Sequence, residues 1–367
     1  MLVAIRADAS LEIGTGHVMR CLTLAQFLRD KGDSVFFVCR EAPGHLCDAI
    51  ESRNFHCSRL PSLPVDSPPD SPSPNSAVLL AAFREADARQ TCAAIESYGG
   101  NPDLLVVDHY LLDKSWETIF RPNVGHIFVI DDLADRMHDC DLLLDQNLHD
   151  GPGLRYSALV CQGTQVFVGP EYALLRPEFC AVRAVPRTRG VGRILSFFGG
   201  VDSTNESLKI VQALRLIGNG APQTDLVLGS TNPHAESVLN AAKGLACVNV
   251  LRRTDDMAKL MREADLGLGT CGVAAWERCC VGLPSLVVVS ADNQRDDARI
   301  LNSMGAAKNL GDAAKISVEQ WAQGIRDMQG DPASLTAMSI TAASVMRGRS
   351  EAVAKLKGAL ERMARRR

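Results

Sequence analysis

The feature that most constrains this chain is an alternation of short, almost wholly apolar runs with longer segments of helical periodicity. Residues 2–6 (L-V-A-I-R) form the first run. From 16 to 30, Val18, Cys21, Leu22, Ala25 and Leu28 fall on one helical face, Gly32 ends the helix, and 34–39 reads as the next strand. Further strands are expected at 104–107, 127–130, 142–144 and 165–168. Strands apolar on both faces and separated by helices specify parallel sheets covered by helices on both sides.

Two segments interrupt the rhythm. Residues 61–76 (P-S-L-P-V-D-S-P-P-D-S-P-S-P-N-S) carry six prolines, so a loop is expected there. The basic, irregular stretch 176–192 is the better domain boundary, because the alternation restarts after it with a strand at 193–198. Strands then follow at 225–228, 248–251, 265–268 and 285–289, and helices near 204–216, 233–242, 254–263, 274–281 and 294–303. A helical stretch at about 333–366 ends in three arginines, a solvated helix end. More than eight strands with a break in the middle favour two doubly wound, Rossmann-like α/β lobes over a single barrel. The expected division is 1–178, a linker at 179–192, a second lobe at 193–332 and a helical tail at 333–367.

Composition removes several classes of function. Of 367 residues, 46% are hydrophobic and 22% charged, and the formal charge is −4. That balance gives no support for a nucleic-acid partner recognised by broad electrostatics. No apolar stretch is long enough to span a bilayer, and no membrane partner is expected. The N-terminus reads as a strand, not a signal peptide. Twelve scattered cysteines without a C-x-x-C pair read as reduced, mostly buried thiols, which fits a cytoplasmic location. The eight histidines lack ligand spacing, so neither a metal nor another cofactor is expected.

The most informative segment is R-A-D-A-S-L-E-I-G-T-G-H-V-M-R, residues 6–20, which follows the first strand and opens the first helix. Ligands of open α/β sheets bind at this end of the strands. Gly14 and Gly16 imitate a dinucleotide fingerprint, but Met19 stands where its third glycine belongs and Arg40, not an acid, closes the second strand. His17 falls in the first helical turn, where the helix dipole favours a neutral, base-competent ring. A lone histidine there more often only contacts backbone; the two glycines, with Asp8 and Arg20 near, favour a functional role. Asp8 and Arg20 equally suit a buried structural ion pair.

The second half offers an anion site. Gly199 and Gly200 follow a strand, and Asp202, Ser203 and Thr204 are N-cap residues for the next helix. A second turn, Gly269-Thr270-Cys271-Gly272, precedes the helix carrying Trp276 and Glu277, with Asn293-Gln294 beyond the next strand. Glycine-rich helix starts bind phosphates through backbone N–H groups, and a glutamate on such a helix can accept both ribose hydroxyls. From spacing alone Glu277 also suits a surface helix carboxylate.

The Gly-Gly turn, T-C-G-V-A-A-W-E, G-L-P-S-L and N-Q resemble the nucleotide-binding lobe of the glycosyltransferase-B fold, as in the murein UDP-N-acetylglucosamine transferase. R-A-D-A-S, I-G-T-G-H-V-M-R-C, V-V-D-H-Y, D-D-L-A-D-R-M-H-D-C-D-L-L-L-D-Q-N and G-P-E-Y-A-L-L-R-P-E-F resemble the UDP-2,4-diacetamido-2,4,6-trideoxy-β-L-altropyranose hydrolases of pseudaminic acid biosynthesis. The resemblance runs from residue 2 to about 310. It implies a UDP-sugar substrate held between two lobes, with UDP on the second and sugar facing the first. It implies His17 as catalytic base, Tyr110 of the D-H-Y motif (Asp108, His109, Tyr110) beside the sugar, and Glu277 on the ribose. Asp8, Gly14, Gly16, Arg20, His109, Gly199, Gly200, Cys271, Gly272 and Asn293 complete the expected substrate contacts, with Asn147 and Tyr172 as weaker candidates. The implied reaction is metal-free water attack at the anomeric carbon with inversion. The alternatives are a glycosyltransferase with a UDP-sugar donor and a non-catalytic nucleotide-sugar-binding protein.

Overall fold

The computed structural model describes residues 1–63, 74–180, 184–252, 254 and 256–365. The chain divides into two compact units, Met1–Leu174 with Glu351–Arg367, and Leu175–Ser350. The first holds strands β1 (Leu2–Ala7), β2 (Ser34–Arg40), β3 (His56–Leu60), β4 (Leu104–Asp108), β5 (His126–Ile130), β6 (Leu142–Asp145) and β7 (Gln165–Val168). They form one parallel sheet in the order β3-β2-β1-β4-β5-β6-β7. The register pairs Val3 with both Val35 and Leu104, so the most apolar strands lie at the centre.

Alternate residues of these strands feed two cores. Val3, Ile5, Phe37 and Val106 pack with Val18, Cys21, Leu22 and Leu28 of helix Gly16–Asp30 on one face. Ala4, Phe36, Leu105 and Val107 pack with Trp116 and Phe120 on the other. Each large aliphatic or aromatic side chain buried this way contributes about 1.5–3 kcal/mol.

The second unit holds β8 (Arg193–Phe197), β9 (Gln223–Val227), β10 (Val248–Leu251), β11 (Leu266–Thr270), β12 (Ser285–Val289) and β13 (Lys308–Asp312). Their order, β10-β9-β8-β11-β12-β13, is again parallel and repeats the doubly wound pattern. In each sheet the strand order reverses at one place, between β1 and β4 and between β8 and β11. Those are the two points where a ligand crevice is expected.

The structure departs from the sequence-based reading in three places. Of the expected proline-rich loop, 64–73 lie outside the described residues, and 74–76 are the first turn of helix Pro74–Tyr98. Proline is tolerated at a helix start because its missing N–H would be unpaired there anyway. Strands β3 (H-C-S-R-L) and β13 (K-N-L-G-D) are edge strands of mixed polarity and lack the apolar signature. The expected tail is also divided. Helix Pro332–Val345 stays with the second unit, whereas Leu356, Ala359, Leu360 and Met363 of helix Arg349–Arg365 enter the core of the first.

Candidate active site

The carboxyl ends of β1, β4 and β5 gather a set of buried charged side chains. The His17 ring is 5% exposed, and its Nδ1 lies 2.5 Å from Oδ1 of Asp108, the last residue of β4. Arg20, one turn further along the same helix, grips Asp108 with two donors. Its Nε donates to Oδ2 at 2.6 Å and its Nη2 to Oδ1 at 2.6 Å. Its Nη1 reaches Oδ2 of Asp132 at 3.1 Å, just past the end of β5. Tyr110 donates to the same oxygen of Asp132 at 3.4 Å and meets the His17 ring edge to face, with centroids 4.4 Å apart.

This arrangement selects one tautomer of His17. Burial alone would raise the Asp108 carboxyl, but Arg20 and His17 overcome it and hold the group well below the usual carboxylate range. Arg20 Nη2 also lies 3.1 Å from Nδ1 but donates to Asp108 at 2.6 Å, and an ionised carboxylate only accepts, so the shorter contact to Asp108 gives Nδ1 the proton. In the neutral ring Nε2 then bears the lone pair, oriented by a charged partner from behind. Burial raises Asp132, opposed only in part by Arg20 and His17, and pushes the Tyr110 hydroxyl well above its normal range, so Tyr110 keeps its proton.

Asp8 and Arg20 are not partners, so the alternative of a structural pair between them does not hold. Asp8 is bound by Arg6, with Nη1–Oδ1 2.5 Å and Nη2–Oδ2 2.7 Å, and by the Arg40 backbone N–H at 2.7 Å. The reason lies in the strand. Arg6 lies near the end of β1 and Asp8 just beyond it, two residues on, so their side chains share one side of the extended chain. On that side Asp87 of helix Pro74–Tyr98 binds Arg6, Arg40 and the Trp116 indole. His109 completes this second set. Its Nδ1 accepts from the Leu111 N–H at 3.1 Å, so its Nε2 must carry the proton, which it donates to Asp8 at 3.2 Å. Burial lowers the His109 pKa despite Asp8, so this ring stays neutral.

Gly14, at φ +80°, closes the loop between β1 and the helix through paired backbone bonds with Ser10, in a conformation that side chains rarely adopt. A Cβ on Gly16 would meet nothing within 4 Å, and no side chain caps that helix start. The Asn147 N–H donates to Asp145 at 3.0 Å, and Tyr172 leans on Phe167.

In the second unit the expected residues sit at the corresponding switch point. Gly199 (φ +86°) and Gly200 follow β8. The helix start that follows is filled by the chain's own carboxylate, because Asp202 accepts the N–H groups of Glu206 at 2.8 Å and Ser207 at 2.9 Å. Burial raises the Asp202 carboxyl against these two bonds. The start of helix Val273–Cys280 differs. Its N-cap is Gly272, no side chain caps it, and a Cβ on Gly272 would find only Gln294 at 3.8 Å. Burial pushes the neighbouring Cys271 thiol up to about 12, so it is neutral and not a nucleophile. Glu277, 6% exposed on that helix, receives Nε and Nη2 of Arg176 at 3.1 and 3.0 Å. Burial still raises its carboxyl above the ordinary range. Asn293 lies in the short 3-10 turn Asp292–Gln294 after β12.

Sequence reading missed Asp108 and Asp132 as parts of the His17 set. Their signal was the acid at the end of β4 in V-V-D-H-Y and the Asp131-Asp132 pair after β5. It also missed Gly229, whose absent Cβ would lie 2.1 Å from the Gly200 carbonyl oxygen. Among the described residues, no group of three or more His, Cys, Asp or Glu side chains is placed to hold a metal ion, and no helix is long and apolar enough to cross a membrane.

Two doubly wound parallel lobes with these switch-point sites define a glycosyltransferase-B-type fold. Solved structures agree across the chain. MurG of Acinetobacter baumannii matches with TM-score 0.58 at 18% identity, covering 97% of this chain and 98% of its own. Spinosyn rhamnosyltransferase SpnG matches with TM-score 0.63 at 15% identity, covering 98% and 100%. No family model matches the chain. In sequence, it is 27% identical over 268 residues to the UDP-2,4-diacetamido-2,4,6-trideoxy-beta-L-altropyranose hydrolase of Campylobacter jejuni, covering 72% of this chain and 83% of that protein. It is 25% identical over 242 residues to the spore coat polysaccharide biosynthesis protein SpsG of Bacillus subtilis, covering 55% and 71%. The chain is thus similar to nucleotide-sugar enzymes, and a nucleotide-sugar-related function follows at that level.

Proposed function

We propose that this protein is a UDP-sugar hydrolase that cleaves UDP-2,4-diacetamido-2,4,6-trideoxy-β-L-altropyranose to UDP and the free sugar. The observation that carries this reading is the His17–Asp108 contact, which leaves His17 Nε2 as an oriented proton acceptor. The similarity to the Campylobacter hydrolase supports the substrate class.

The chemistry asks little more of the first unit. His17 Nε2 takes a proton from a water molecule as its oxygen attacks the anomeric carbon. The bond from that carbon to the β-phosphate oxygen breaks, and its electron pair leaves on UDP, inverting the centre. Asp108 stabilises the imidazolium as it forms, and such general-base assistance is worth about 10²–10⁴-fold. The UDP leaving group needs charge stabilisation rather than a proton. The open helix start at Gly272 supplies it through backbone N–H groups and the helix dipole, and Glu277 takes the ribose hydroxyls.

The test is incubation of the purified chain with the UDP-sugar and no acceptor. Stoichiometric UDP and free sugar are expected. UDP release only after an acceptor is added would make the protein a transferase, and tight binding with no UDP formed would make it a binding protein.

A further inference from the structure

The second unit buries a guanidinium that its own packing does not explain. Arg278, on helix Val273–Cys280, is 3% exposed, and no carboxylate pairs with it among the described residues. Among the described residues its guanidinium makes one hydrogen bond, from Nη2 to the Thr270 carbonyl at 2.6 Å. Arg187, also buried in this unit, differs, since it spends its donors on the carbonyls of Val185, Met261, Arg262, Ala264 and Val281. Its Nε and Nη1 make no hydrogen bond to a described residue and are not fully enclosed, so the cation keeps donors for water or a ligand.

The sheet is nonetheless built to admit this side chain. In β11 the sequence L-G-L-G-T places Gly267 and Gly269 on one face. A Cβ at 267 would sit 2.8 Å from Arg278 Cδ, and one at 269 would sit 2.7 Å from Nη1. The two glycines therefore open a lane along the strand that ends at Thr270. Burial pulls the guanidinium below its ordinary range, but arginine has so much to lose that it stays charged.

We infer that Arg278 is a positioning residue for the turn Thr270-Cys271-Gly272, holding it ready for a diphosphate and supplying a fixed positive charge behind it. This rests on the UDP reading of the same turn. The geometry is direct. A trans peptide sets C=O and the following N–H in opposite directions, and no cis peptide bond occurs among the described residues. With the Thr270 carbonyl drawn to Arg278, the Cys271 N–H points the opposite way, away from the guanidinium. An anion bound at the turn meets N–H groups held in one direction and, behind them, a fixed positive charge.

Calorimetric titration of the full chain with UDP and with uridine tests this, because only UDP carries the diphosphate. Arg278→Met should weaken UDP by about tenfold or more and leave uridine within about twofold. Arg278→Lys keeps a point charge without the planar fork, and should fall between the two for UDP with uridine again unchanged. UDP affinity equal to wild type in folded Arg278→Met would overturn the inference. Should that variant not fold, equal losses of UDP and uridine in Arg278→Lys would overturn it, because they mark a structural role only. Absence of UDP binding by the wild-type chain would instead sink the underlying reading, and the inference with it.

Discussion

His17 Nδ1 lies 2.5 Å from Asp108 Oδ1, and the same carboxylate is held by two donors of Arg20. The proposed base and the group that orients it thus come from different elements, a helix start and a strand end, fixed to each other by one arginine. Asp108→Asn keeps the shape but lets the amide donate to Nδ1, which moves the ring proton to Nε2 and removes the acceptor. We expect kcat to fall by about 10²–10⁴-fold with UDP affinity unchanged. Steady-state rates with titrated UDP check this, and a kcat within threefold of wild type (about 0.7 kcal/mol) would remove Asp108 from the mechanism.

Glu277 gives a prediction about the nucleoside. If it accepts the ribose hydroxyls, wild type should prefer UDP over 2′,3′-dideoxy-UDP by about tenfold or more, the worth of hydrogen bonds to a charged group. Glu277→Ala should bring the two affinities together. A preference that survives the substitution would mean that Glu277 serves only to hold Arg176.

His109 makes stability depend on pH. Burial lowers its pKa, so the unfolded chain binds the extra proton first. Its contribution is therefore full above the unfolded value of about 6.5 and is lost as pH falls through that value toward the folded one. Asp8 and Asp108 are held low in the folded state, and their contributions vanish later, as pH falls below about 4. Urea midpoints should decline in two stages on acidification, and His109→Gln should flatten the first. An unchanged decline between pH 7 and 5 in that variant would assign it elsewhere.

Gly229 is the sharpest steric prediction. A Cβ there would come within 2.1 Å of the Gly200 oxygen and 2.4 Å of the Gly199 oxygen, both backbone atoms with no room to turn aside. Gly229→Ala should cost about 1–3 kcal/mol in urea denaturation. A melt indistinguishable from wild type would show that the Gly199–Gly200 turn moves freely.

What the sequence made legible was local. Strand, glycine loop and His17 are contiguous, and their pattern reports a switch-point site without any knowledge of the rest. The doubly wound lobes followed from the same alternation, because strands buried on both faces cannot disguise their apolarity. Asp108 was hidden because it lies 91 residues from His17, and only the crossover that sets β4 beside β1 joins them. The partner of Asp8 was overlooked for the opposite reason. That cation, Arg6, stands two residues away, and alternation along the extended chain puts the two on one side. Strands β3 and β13 escaped because an edge position tolerates polar residues. Arg278 showed no signal of its own, since its burial depends on two glycines in a neighbouring strand.

The central claim is water attack at the anomeric carbon with His17 as base, and turnover of the UDP-sugar in ¹⁸O-labelled water tests it most directly. The account predicts label in the C1 hydroxyl of the released sugar, none in UDP, and no turnover in His17→Asn although that variant still binds UDP. Label in the β-phosphate of UDP, or full activity in His17→Asn, would contradict it.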